Sequence, residues 1–348
     1  MLKPKDIAIA CHDAGGAEIL AAMVVAERRY WRFKALLKRD TPAWRIFERR
    51  GLTPSIIEIK QDEDCLTALH DSDLLICGTG TNDYEWAFLS AARLVGIQSI
   101  SVLDHWVNYR ERFGYPEFGW QDNLPDFLAV TDERSLGLAR DLNLAPIIRM
   151  RNYYLLELLH KYRQSCDERQ TPDELLFVSE SVEEHYGSDT SASLHPGFTQ
   201  SDVLYDVLES LPHFAGTINL RRVTLRLHPA EAQDKYDSVL KLGYGLPIVV
   251  ERPNDVPLDI SIARARVVIG ISSMALLIAY LLGKPSVSVI PCGDRCNLPL
   301  PDGCCLTSAS QIDPNNIAHY APPASTIPNL FEDIDLSTAL TQMEVPTA

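Results

Sequence analysis

Residues 7–18 read Ile7-Ala8-Ile9-Ala10-Cys11-His12-Asp13-Ala14-Gly15-Gly16-Ala17-Glu18. A short unbroken apolar run, Ile7–Cys11, stops at a polar pair and two glycines, and a helical stretch near 16–29 follows. A strand with one face in water alternates apolar with polar residues, whereas an unbroken run fits a strand covered on both faces, as in parallel α/β sheets. The same unit recurs. Further runs at Phe33–Leu37, Ser55–Ile59, Leu74–Cys77, Ser99–Leu103 and Phe127–Val130 are separated by helical candidates near 42–50, 63–70, 84–95 and 133–142. This is a doubly wound α/β pattern.

Working outward, a helix-rich stretch at Tyr153–Arg163 leads into the polar, proline-containing residues 166–173, read as a linker. Beyond it the alternation restarts with Leu175–Val178, Val223–Leu227, Ile248–Val250, Val267–Ile271 and Ser286–Ile290, and helices are predicted near 199–211, 231–241, 257–264 and 273–282. The expected organisation is an α/β chain of two Rossmann-like domains, 1–165 and 174–325, facing across a cleft. A partial stripe of Leu330, Phe331, Ile334, Leu336 and Leu340 predicts a closing helix within 326–348 that packs back toward the junction. The length agrees: 348 residues suit two domains of ordinary size.

Apolar residues make up 46% and charged residues 23%, which excludes a disordered or fibrous chain. The net charge of −15 is uneven. Residues 1–170 hold 22 Lys and Arg against 25 Asp and Glu, a net of −3; residues 171–348 hold 10 against 22, a net of −12. Such a chain repels polyphosphate over most of its surface, which argues against general nucleic-acid binding and leaves room for a local phosphate pocket. The exception lies at 28–50, where nine Lys and Arg meet only Asp40 and Glu48. It reads as a solvated surface or as a face for peripheral contact with an anionic acceptor or membrane. The first residues lack a long apolar stretch and the apolar run Met274–Leu282 is too short to span a bilayer, so a cytoplasmic location is expected. The eight cysteines are then expected as thiols. Cys292, Cys296, Cys304 and Cys305 cluster without paired CxxC spacing, so no metal site is assigned to them.

In parallel α/β sheets ligands gather at the carboxyl ends of strands. After the first strand, His12 and Asp13 form a titratable pair, Gly15 and Gly16 allow close backbone approach, and a helix begins. Asp13 acting as a helix cap is the plainer reading. The dinucleotide fingerprint Gly-x-Gly-x-x-Gly is absent there, against an ordinary nicotinamide or flavin enzyme. The strand Val223–Leu227 ends at His228-Pro229, and the histidine can donate to a departing phosphate or be a structural core group. Gly270-Ile271-Ser272-Ser273 joins a strand to an apolar helix; a serine cap and a phosphate cradle are both open readings. Thr79-Gly80-Thr81-Asn82 follows another strand as acceptor contact or simple turn. Asp104, His105, Tyr109, Arg110 and Arg112 offer aromatic and guanidinium groups for an acceptor, which Gly15 and Gly16 would also approach, although a packed interdomain loop would look similar. Ser179 and Glu180 at a strand end are candidates for a diphosphate or ribose, Arg226 for the phosphates, and Glu231 and Glu251 for the rest of the nucleotide.

His228-Pro229, Gly270-Ile271-Ser272-Ser273 and Gly283-Lys284-Pro285-Ser286 together resemble the donor domain of GT-B-fold glycosyltransferases, in pattern the bacterial sialyltransferase and capsule-polymer group. The resemblance implies that His228 assists the departing nucleotide phosphate, that Ser272 and Ser273 bind it, and that Asp13, helped by His12, is the base. It implies a nucleotide-sugar donor, a glycan or other hydroxyl acceptor, inverting transfer, and neither metal nor further cofactor. A sugar-nucleotide epimerase or hydrolase, and a non-catalytic nucleotide-sugar binder, share the same plan.

Overall fold

The computed structural model describes residues 6–60, 64–80, 83–165, 172–191, 195–241, 243–252, 255–293, 296–323, 330–331 and 333–344. Most of the expected linker (166–171), together with Thr81, Asn82, Pro253 and Asn254, lies outside them. The chain divides into two compact units, Met1–Leu158 with Asn329–Ala348, and Leu159–Pro328.

The first unit is one parallel sheet of seven strands: β1 (Asp6–Ala10), β2 (Arg32–Leu37), β3 (Ile56–Glu58), β4 (Leu74–Cys77), β5 (Gln98–Val102), β6 (Phe127–Val130) and β7 (Ile147–Arg149). Their order is β3-β2-β1-β4-β5-β6-β7, with Ile7 registered against Phe33 on one side and Leu74 on the other. Helices α1 (Ala14–Glu27), α2 (Pro42–Arg49), α3 (Asp64–Leu69), α4 (Asp83–Val95), α5 (Glu133–Leu142) and the first part of α6 (Tyr153–Ser165) cover it. Alternate residues of β1 enter different cores. Ile7 and Ile9 pack with Leu20 and Met23 of α1, while Ala8 and Ala10 lie on the side of Phe88 and Leu89 of α4. Burial on both faces is why the strand reads as an unbroken apolar run.

The second unit holds β8 (Glu174–Val178), β9 (Arg222–Arg226), β10 (Ile248–Glu251), β11 (Ala265–Gly270), β12 (Ser286–Val289) and β13 (Cys305–Leu306), again all parallel, in the order β10-β9-β8-β11-β12-β13. Its helices are α7 (Val182–Tyr186), α8 (Gln200–Phe214), α9 (Leu258–Arg264) and α10 (Met274–Leu281). The doubly wound α/β class is therefore borne out. Each sheet reverses its strand order at one place, between β1 and β4 and between β8 and β11, which makes those strand ends the natural ligand crevices.

Several elements differ from the sequence reading. The division between units falls within α6, because its second half joins the second unit: Lys161 pairs with Asp259 of α9 at 3.4 Å. Among the described residues the closing helix is α11 (Leu336–Thr341), capped by Asp335, whose Oδ1 accepts the Thr338 N–H at 2.8 Å. It belongs to the first unit, where Leu336 and Ala339 are buried and Gln342 bonds the Arg149 backbone through both its amide atoms. No α-helix forms at 231–241. Glu231 and Tyr236 both turn inward to Ser179, and five residues apart on an α-helix they would lie about 140° apart. Tight turns with i to i+3 bonds, such as Val239 N–H to Tyr236 O at 2.9 Å, bring them together instead. The strands β7 and β13 are too short to register as apolar runs.

Among the described residues no helix is long and apolar enough to cross a membrane. In the basic stretch 28–50, Arg32 pairs with Asp6, Arg39 with Glu58, and Arg49 and Arg50 with Glu18, so much of its charge is neutralised locally.

Candidate functional site

Two sets of chemistry-bearing residues sit at the two switch points. In the first unit α1 starts directly after β1, and its opening turn presses against the loop after β4. A Cβ on Gly16 would stand 3.0 Å from Gly78 Cα, and one on Gly15 would stand 1.9 Å from Asp104 Oδ2, so both positions need glycine for close approach. These glycines shape the loop around Asp104 at the end of β5. Asp104 Oδ1 accepts from Arg112 at 2.7 Å, and the same guanidinium donates to the Thr79 carbonyl at 2.5 Å.

Asp13 stands at the N-cap position of α1 but its carboxylate makes no capping bond. Its Oδ1 lies 2.8 Å from His12 Nδ1. A proton on Nδ1 donated to Asp13 places the imidazole lone pair on Nε2, the arrangement in which a carboxylate orients a histidine base. The His12 backbone is fixed on both sides: its N–H donates to Glu85 Oε1 at 2.9 Å and its carbonyl accepts the Ala43 N–H at 3.1 Å.

Glu85 is the residue that the sequence reading missed. It is 2% exposed, its Oε2 has no hydrogen-bond partner, and burial pushes its carboxyl up to about 7. At the start of α4 it resembles an ordinary acidic first-turn residue. The spacing Glu85, Phe88, Leu89, Ala92 nonetheless puts it on the buried face, a signal present in the sequence.

The expected acceptor residues divide. His105 and Asp104 lie at the strand end, and burial pushes the His105 imidazole down, leaving its Nδ1 to accept the Trp106 N–H at 3.0 Å. Arg110 is exposed and lies over the Tyr115 ring. Tyr109 instead points into the core, 3% exposed, and Arg112 is a clamp between Asp104, Thr79 and the Val107 carbonyl. Those two shape the loop from within.

In the second unit β8 ends at Ser179 and Glu180, β9 at His228, and β11 at Ser272 and Ser273. Ser273 caps α10, its Oγ accepting the Ala275 N–H at 3.3 Å. Ser272 donates both its backbone N–H and its hydroxyl to the two oxygens of Glu180, the latter at 3.0 Å. Burial pushes the Glu180 carboxyl up to about 7 against the pull of those bonds. His228 Nδ1 accepts the Ala230 N–H at 3.2 Å, and burial pushes the imidazole down, so the neutral ring carries its proton on Nε2 as a donor.

Four expected ligand contacts are turned inward. Glu231 Oε2 accepts the His228 N–H at 2.7 Å and its Oε1 accepts from Ser179 and Tyr236 at 2.8 and 2.9 Å, so Glu231 and Ser179 position the His228 loop rather than face a nucleotide. The Arg226 guanidinium reaches Glu251 Oε2, the Val256 carbonyl and Ser261 Oγ, and Glu251 also binds Arg264; both are parts of one buried network. Gly270 is required by the sheet, since a Cβ there would stand 2.8 Å from the Val178 carbonyl.

Among the described residues no group of three or more His, Cys, Asp or Glu side chains could hold a metal ion. Cys296 and Cys305 hydrogen-bond each other, Cys304 is buried and Cys292 exposed.

No protein-family model matches the chain, and no curated protein matches it. Solved structures do match. The Anabaena protein Alr3699/HepE, in complex with UDP-glucose, is 12% identical, with 98% of this chain and 100% of that one covered at a TM-score of 0.62. The UDP-GlcNAc 2-epimerase of Methanocaldococcus jannaschii is 12% identical over 97% of this chain and 98% of its own, at 0.60. The epimerase of Neisseria meningitidis bound to UDP-GlcNAc is 12% identical over 84% of each chain, at 0.57. At such identity the likeness is one of fold, and the chain has the two-unit, parallel-sheet α/β fold of GT-B type that these structures share.

Proposed function

We propose that the protein is a UDP-sugar-dependent glycosyltransferase of GT-B fold, with its donor phosphates held at the second switch point. One observation carries the reading: at the second switch point Ser272 and Ser273, at the N-terminus of α10, already hold an anionic group, the Glu180 carboxylate, with N–H and O–H donors, and neutral His228 carries an Nε2–H on the loop after β9, two strands from β11. Such donors meet the charge that develops on a departing diphosphate, and they do so in place before the reaction. The fold likeness to a protein in complex with UDP-glucose supports the choice of donor.

In this reading His12 Nε2 takes the proton of the acceptor hydroxyl as its oxygen bonds the anomeric carbon. The bond from that carbon to the diphosphate oxygen breaks on the opposite face, and the electron pair leaves with UDP. Asp13 keeps the imidazole in the required tautomer and stabilises the imidazolium. No metal is invoked for the leaving group, and the acceptor is a glycan or another hydroxyl compound.

The likeness to two UDP-GlcNAc 2-epimerases favours a second reading, in which the donor itself is epimerised or hydrolysed. Incubation with UDP-glucose and UDP-GlcNAc, with and without an acceptor panel, separates the two. UDP release that depends on acceptor supports transfer, whereas altered donor without acceptor supports the second reading. His12→Ala and Asp13→Asn are expected to lower kcat by about 10²–10⁴ with donor affinity retained. Unchanged turnover in both variants removes them from the mechanism.

A further inference from the structure

β8 and β11 are adjacent and their ends define the second switch point. Glu180 leaves the end of β8 and turns toward the start of α10. One of its oxygens accepts the Ser272 N–H, the other accepts the Ser272 hydroxyl at 3.0 Å, and the Ser273 N–H bonds the carboxylate as well. To these donors a carboxylate is a close substitute for a phosphate oxygen: both are anionic acceptors suited to N–H and O–H groups at a helix start. The donors assigned above to the nucleotide diphosphate are therefore already engaged by an anion that the chain itself carries.

We propose that Glu180 acts as an internal stand-in for the donor phosphate, so that binding of an anionic nucleotide sugar at Ser272 is coupled to uptake of one proton by Glu180. The inference rests on the reading of Ser272 and Ser273 as the phosphate site. Its physical basis is that two anions cannot share one set of donors in a half-buried crevice, and protonation is the change that removes one of them. The surroundings favour it. Burial is the largest influence on Glu180, and the buried thiol of Cys296, from the segment after β12, is the titratable side chain acting on it in the same direction. The carboxylates of α7, Glu183 and Glu184, are turned to Lys235 at 3.3 and 2.6 Å, and Glu231 after β9 is held by Ser179, Tyr236 and the His228 N–H. With its carboxyl pushed up to about 7, Glu180 is charged in roughly half the molecules at neutral pH.

UDP-glucose is a suitable probe because its diphosphate diester loses no proton between pH 6 and pH 8. The protonated share of Glu180 drops from about nine-tenths to about one-tenth across that range, so the apparent affinity of the wild type is expected to fall roughly tenfold. Calorimetry at pH 6, 7 and 8, each in two buffers of different ionisation enthalpy, reads both the affinity and the protons exchanged. The wild type is expected to take up close to one proton at pH 8. Glu180→Gln, a neutral side chain of the same shape, is expected to bind at every pH as the wild type does at pH 6, with no uptake. Glu180→Ala, which vacates the crevice, serves the same purpose if the glutamine variant folds poorly. Binding by the wild type that is independent of pH and moves no proton overturns the coupling. Weaker binding by Glu180→Gln and Glu180→Ala also overturns it and makes Glu180 a direct ligand of the nucleotide. No binding of UDP-glucose by any of the proteins at any pH overturns the donor-site reading beneath it, and the coupling with it.

Discussion

Glu85→Gln tests the reasoning about the first site through stability alone. In the folded protein burial pushes the Glu85 carboxyl from an ordinary 4.5 up to about 7, while one oxygen accepts the His12 N–H and the other has no partner. The groups around it are His12 and Asp13 in the loop, Cys11 just after β1, Cys77 on β4 and Tyr84 on its own helix. Of its loop neighbours, Asp13 raises and His12 lowers the value. Because the folded value lies above the unfolded one, the folded state binds more protons between them. Stability from this group is greatest below pH 4.5, falls as pH rises through the window to about 7, and is level above it. A displacement from 4.5 to about 7 corresponds to roughly 3 kcal/mol when complete, of which about 2–3 kcal/mol is traversed between pH 5 and pH 8. Glutamine keeps the acceptor for His12 and carries no charge, so the variant lacks this slope. All five tryptophans, Trp31, Trp44, Trp86, Trp106 and Trp120, lie in the first unit, so urea unfolding followed by their fluorescence reports the unit that holds Glu85. The difference in unfolding free energy between variant and wild type should grow by about 2–3 kcal/mol from pH 5 to pH 8. A difference that stays constant over that range refutes the claim that Glu85 is held as a neutral, buried acid.

Gly15→Ala places a methyl group where Asp104 Oδ2 now sits, and Asp104 can move only by loosening its bond to Arg112; destabilisation of about 1–3 kcal/mol is expected by the same fluorescence assay, and a neutral effect would show that the Asp104–Arg112 clamp is not fixed. Tyr153→Phe removes a hydroxyl that donates to buried Glu27 at 2.7 Å and accepts the Leu336 N–H at 2.7 Å. Leaving both groups unpaired should lower stability by about 1–3 kcal/mol and speed hydrogen exchange across α11, whereas unchanged exchange there would mean that apolar packing alone holds the segment.

The local pattern carried the class of fold because burial on both faces of a parallel strand forbids alternation, and Ile7–Cys11, Leu74–Cys77 and Val267–Ile271 all show it. It also carried the strand ends, since a strand leaving the sheet must change composition where it stops. Glu85 was legible only by a helical spacing that its place beside Asp83 in an acidic first turn concealed. The inward turn of Glu231 was concealed differently: the run 231–241 has the composition of a helix, yet it forms turns in which Glu231 and Tyr236 both bond Ser179, just after β8.

From sequence alone came the two α/β halves, the placing of His12, Asp13, His228, Ser272 and Ser273 at strand ends, and an acidic second half in which any attraction for phosphate must be local. Those depend on residues close along the chain, whose periodicity and turn chemistry act over a few positions. The tertiary structure decided which of the charged groups face outward. Arg226 and Glu251 look like nucleotide contacts in one dimension and satisfy each other in three, while Glu180 meets Ser272 across 92 positions of sequence. The reason is that a buried charge must find a partner or give up its charge, and which partner is within reach is settled by strand order, which no local pattern encodes.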